Sequence, residues 1–181
     1  MRRFSEEELF TVHSAAVNAQ RLVSRYYALA PREWARMRYE VKTQKELKRG
    51  EMLDSVLAHL VCYEYARSVG QDVLESGDIY RICLQDSRIL ATLAHISELD
   101  LERFLIYILT HELVHVVRFG QRLQRLDLPA DERHIEEQSV ETITRRILGF
   151  ESLFNFEATE EAQSFEKQSA CALYASNSLW D

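Results

Sequence analysis

The sequence predicts an α+β protein, mainly helical with a small sheet, folded as one domain. Three observations predict it. Several long stretches repeat apolar residues at helical spacing, one short stretch alternates strictly, and only 5 Gly and 2 Pro interrupt 181 residues. A chain of that length can bury one sizeable core. The parts read as an N-terminal helix over 1–30, a sheet-and-helix lobe over 35–119 and a C-terminal helical lobe over 129–181.

Ser5 followed by Glu8 is a capping-box pattern, and Leu9, Val12, Ala16, Ala19, Val23 and Tyr27 then recur at helical spacing until Pro31. From Ala35 to Lys42 apolar and charged residues alternate, the mark of a half-buried strand. Leu53, Val56, Leu57, Leu60, Val61 and Tyr65 form a stripe that predicts a helix over 52–68, with Gly70 placed as its C-cap. Residues 79–85 and 88–95 flank Asp86-Ser87 and read as a hairpin, although 89–94 fits a helix equally. Ser97 or Asp100 can cap a helix running to about Phe119 that is apolar all round and therefore buried. Pro129 opens another, with Ile135, Val140, Ile143 and Ile147 on its core side and Gly149 at its end. Thr159 begins a last one, to about Ala175.

With 22 basic against 29 acidic residues the net charge is -7, which disfavours nucleic acid and anionic lipid as partners. The longest apolar run, Phe104 to Leu109, falls far short of the roughly 20 residues that span a bilayer. No secretory pattern follows Met1, and Cys62, Cys83 and Cys171 stand apart among apolar neighbours. A cytoplasmic protein with reduced thiols is the expectation.

The chemistry lies in His111-Glu112-Leu113-Val114-His115 on the buried helix, a His-Glu-x-x-His pattern. Four residues apart, His111 and His115 stack on one face and can share one zinc ion. Glu112 points beside the metal, where it can take a proton from metal-activated water and return it to a departing amine. Two histidines and a glutamate on an apolar helix are costly without a partner, and a metal is the simplest one. Zinc catalysis needs a third protein ligand. Arg118 and Gln121 stand where a metzincin would have Gly and His, which excludes that branch. The helix after Pro129 offers Glu137 and, on the same face, Glu141.

An active-site helix, a loop and a second helix bearing Glu-x-x-x-acid resembles the gluzincin metallopeptidases, of which thermolysin is the familiar one, over about residues 98 to 148. The resemblance implies a zincin-like fold with a small mixed sheet packed on the active-site helix, one zinc ion and a peptide or protein substrate. By it Glu137 is the third ligand, and Glu141 hydrogen-bonds a ligand histidine and fixes its tautomer. Family members most often have Asp at that second position, so Glu141 is a departure. Glu136, His134 and Asp127 compete for the third-ligand place. An extended substrate is expected to add to an edge strand before the active-site helix, here Arg88 to His95. An oxyanion stabiliser is also expected, with Tyr107, His134, Arg145 and His95 as candidates. His134 is assigned to catalysis because it lies about one turn before Glu137.

Two other functions fit parts of the pattern. A di-iron carboxylate protein would use Glu112-x-x-His115 but requires a second such motif on a helix bundle, and the chain offers only Asp131-x-x-His134. A non-catalytic zincin-like module would serve as a regulatory or interaction surface, with no use for Glu112 as a base.

Overall fold

The protein is described here by a computed structural model covering residues 2–69, 72–96, 99–123 and 129–149. The order of elements is α1 (Glu6–Tyr27), α2 (Pro31–Trp34), β1 (Tyr39–Lys42), β2 (Ala58–Val69), β3 (Asp72–Leu84), α3 (Asp86–Leu93), α4 (Leu101–Gly120) and α5 (Ala130–Leu148), with one 3-10 turn at Arg49–Glu51. This is an α+β fold. Its three strands run in the order β1-β3-β2, with β1 parallel and β2 antiparallel to β3.

α1 starts at the capping box: the Glu8 amide donates to Ser5 Oγ (3.2 Å) and the Ser5 amide to Glu8 Oε2 (2.8 Å). Its buried stripe, Val12, Ala15, Ala19 and Val23, is rich in alanine, which lets α1 lie close along α4. α4 begins at Asp100, whose carboxylate accepts from the Arg103 amide (2.8 Å). Phe104, Leu105, Leu109, Leu113, Val116 and Val117 bury it against α1, α5, β2 and β3. At its end Gly120 lies so close to Met37 that an added Cβ would stand 2.3 Å from Met37 Cγ. α5 ends at Gly149, left-handed at φ 58°.

Several sequence expectations need correction. No helix forms over 52–68; that stretch is a loop followed by the long strand β2. Ala58, Leu60 and Cys62 face the helices, whereas Val61 and Tyr63 pack with Leu47 and Cys83 on the other face. With both faces buried, the strand has no polar alternation to betray it, and a run of apolar residues mimics a helical stripe. Residues 88–95 are not a strand either. Asp86 opens α3, and its buried carboxylate accepts from the amides of Phe4 (3.1 Å) and Gln44 (2.9 Å). Ile89 fills the core and Leu90 and Leu93 pack beside it, so the apolar spacing is helical. The alternation from Ala35 becomes strand only at Tyr39, because Pro31 nucleates the short α2 and Trp34 is buried there. Ile135 is 63% exposed and not on the core side of α5, where Val140, Thr144 and Leu148 are buried instead. The last expected helix, Gly70 and Cys171 lie outside the described residues.

Candidate metal centre

α4 places His111 and His115 one turn apart, with ring centroids separated by 5.0 Å. Both are buried, at 2% and 0% exposure. α5 runs alongside α4 and brings Glu137 across both rings: Glu137 Oε2 lies 3.5 Å from His111 Nε2, and Oε1 lies 3.4 Å from His115 Nε2. Two ligands at roughly 2.0 to 2.1 Å from a tetrahedral zinc stand about 3.3 to 3.4 Å apart, close to each of these histidine–glutamate spacings taken singly. Among the described residues these three form the only group of His, Cys, Asp or Glu whose ligand atoms come together, within 4.8 Å of one another.

The polar atoms fit the same group. Among the described residues, Glu112 Oε2 is buried without a hydrogen bond, which is costly, and the buried Glu137 Oε1 has only the 3.4 Å approach of His115 Nε2. Burial pushes the Glu112 carboxyl above its usual range, against the pull of the two imidazoles. For Glu137, burial is outweighed by the two histidines, which bring it down to about 2. For His111, burial is outweighed by Glu137 and Glu141, which push it up to about 10. The acids thus hold a proton on His111, in the place where a metal cation would supply positive charge.

Glu141 stands beside the other ring nitrogen, with Oε2 3.5 Å from His111 Nδ1. The same oxygen accepts from the Tyr107 hydroxyl (2.8 Å), and Oε1 accepts from Arg145 Nε (2.6 Å). The two partners used by Glu141 are therefore two of the four candidates for stabilising an oxyanion. His95 is exposed in the turn after α3. His134 is exposed one turn before Glu137, its Nε2 3.2 Å from Gln138 Nε2. It lines an open cleft of about 400 Å³ with His111, Glu137, Gln138, Glu141, Thr142 and Arg145. All but His111 form one stripe along α5.

Of the competing third ligands, Glu136 is engaged elsewhere: Arg118 grips both its oxygens, Nη2 to Oε2 at 2.9 Å and Nε to Oε1. Asp127 is outside the described residues. The four-helix bundle of the di-iron alternative is not what the described residues form. Arg118 as the partner that occupies Glu136 escaped sequence reasoning and had no local signal. Tyr107 was named as an oxyanion candidate, but its bond to Glu141 was not foreseen, although it stands four residues before His111 on the same face. Compared with known protein families, with curated proteins and with solved structures, the chain matches none. Among the described residues no helix is long and apolar enough to cross a membrane.

Proposed function

We propose that this protein is a compact zincin-like metallopeptidase, using one zinc ion to hydrolyse a peptide bond of a peptide or protein substrate. The observation that carries this reading is the convergence of His111, His115 and Glu137 beside the buried Glu112 carboxylate, whose Oε2 has no hydrogen bond among the described residues. His111 and His115 would hold the ion through Nε2, and Glu137 through its carboxylate. A zinc ion there supplies Lewis acidity, polarising a carbonyl and lowering the pKa of water. Glu112 would take the proton of the attacking water at its carboxylate and pass it to the leaving amine. Glu141 keeps the His111 proton on Nδ1. His134, on the cleft rim beside Glu137, is the group within the cleft assigned to stabilising the developing oxyanion.

The substrate strand is reassigned. Arg88 to His95 is helical, and the edge strand packed against α4 is β2, antiparallel to β3 and, among the described residues, unpaired on its outer side. An extended peptide can add to that edge through main-chain hydrogen bonds. A cytoplasmic location belongs to the same reading, supported by the buried free thiols of Cys62 and Cys83.

The test is elemental analysis of protein purified without chelator, alongside His115→Ala, Glu137→Ala and Glu112→Gln. One zinc per chain, lost in the first two variants and kept in the third while peptide hydrolysis falls by about 10²- to 10⁴-fold, is the expected result. Protein without metal overturns the reading, and full activity in Glu112→Gln overturns the mechanism.

A further inference from the structure

We infer that Tyr107 is a positioning residue for the metal, acting through Glu141 on His111. The inference rests on the metal-site reading above and adds a residue to it. Tyr107 is 6% exposed on α4, and its hydroxyl donates across the helix pair to Glu141 Oε2 at 2.8 Å. That oxygen is the one 3.5 Å from His111 Nδ1. Arg145 Nε holds the opposite oxygen at 2.6 Å.

The chemistry follows from what each group can donate. An imidazole that binds a metal through Nε2 must keep its proton on Nδ1, and the acceptor facing Nδ1 enforces that tautomer. A glutamate has three rotatable side-chain bonds, so the carboxylate faces Nδ1 steadily only if its own oxygens are held. Tyr107 holds Oε2 from α4, the helix that carries His111, and Arg145 holds Oε1 from α5. The hydroxyl therefore fixes the carboxylate relative to the ring and not merely relative to its own helix. This use also withdraws the Tyr107 hydroxyl from oxyanion stabilisation, because it donates to Glu141.

The experiment measures zinc affinity by competition with a chromophoric chelator, and the visible absorption of the cobalt(II)-loaded protein, in wild type and Tyr107→Phe. Tyr39→Phe is the control, because Tyr39 also gives up a hydroxyl hydrogen bond, to Gln20 Oε1 at 2.6 Å, without touching Glu141 or His111. Loss of a partner beyond the direct ligands commonly weakens metal binding by roughly 10- to 100-fold. The expected result is a loss of about tenfold in Tyr107→Phe with shifted cobalt bands, and wild-type affinity and spectrum in Tyr39→Phe. Should Tyr107→Phe fail to fold, Arg145→Gln, at an exposed position, tests the other oxygen and is expected to weaken zinc in the same direction. Unchanged affinity and cobalt spectrum in the variant that folds overturns this inference and leaves the peptidase reading standing. A wild-type protein that binds neither metal overturns both.

Discussion

Two buried polar clusters flank the sheet region, and they are built on opposite principles. On the outer face Arg81 is gripped by Glu40 (Nε to Oε1, 2.6 Å) and Glu51 (Nη1 to Oε1, 2.7 Å), and it lies 4.7 Å over the Tyr63 ring. Glu51 also accepts from the Tyr63 hydroxyl and from the Lys48 amide (2.7 Å). At its margin His59 leaves Nε2 without a hydrogen bond, and burial brings its pKa down to about 4, so the ring stays neutral. This cluster contains its own permanent cation. The cluster on α4 and α5 gathers Glu112, Glu137 and Glu141 around two histidines, and Glu112 Oε2 has no hydrogen bond among the described residues. The first cluster is closed on a buried guanidinium, whereas the second has a guanidinium only at its exposed side, where Arg145 meets Glu141, and on the proposed reading a metal ion would supply the positive charge beside Glu112 and Glu137.

That contrast can be broken most forcefully at Arg81. Arg81→Ala strands Glu51 and Glu40 at the sheet and should cost about 3 to 5 kcal/mol in urea unfolding, with or without zinc, as breaking a buried pair does. A loss below that range, or one that zinc restores, would erase the distinction between the clusters. Zinc in turn should act only on the other site: at about 100 times its Kd it should add about 2.7 kcal/mol to wild type and nothing to Glu137→Ala. Gly120→Ala probes the joint between α4 and the start of β1, where the new methyl would meet Met37; a loss of about 1 to 3 kcal/mol is expected, with zinc stoichiometry retained.

A different effect is a pH-dependent drift in the metal-free protein. His111 titrates near 10 when folded against an ordinary 6.5, so its contribution is complete below the ordinary value and disappears as pH rises through about 10. Glu137 and Glu141 are depressed to about 2, so theirs is present above the ordinary 4.5 and is lost as pH falls toward 2. Chelated protein should therefore weaken toward both extremes in urea melts. Zinc-loaded protein should lack the alkaline loss arising at His111, because there the ion replaces the proton.

The helices were legible because their signals are local. The Ser5 to Glu8 box, the apolar run on α4 and the Gly149 stop all act within a few residues of where they stand. Of the sheet, β1 and the end of β3 over 79–84 were legible from alternation and β-prone residues, but β2 was not, because it is buried on both faces by partners distant in sequence: Leu47 and Cys83 on one side, the helices on the other. For α3 the apolar spacing over 89–94 fitted a helix and a strand equally, and the choice depends on Asp86 receiving the amides of Phe4 and Gln44 at its start. At the candidate site, the two histidines and Glu112 followed from helical spacing alone. The distinction between Glu137 and its neighbour Glu136 did not, since it depends on Arg118 taking up Glu136 from another helix.

The pairing of α1 with α4 has a consequence for the timing of synthesis. The stripe Val12, Ala15, Ala19 and Val23 is covered by a helix that ends at Gly120. A ribosome adding about 5 to 20 residues per second leaves that stripe without its cover for on the order of 5 to 20 s. During that interval α1 is an apolar surface waiting for a late neighbour, so chaperone demand should fall on that nascent helix. A circular permutant that translates α4 before α1 should shorten the wait without altering the finished packing.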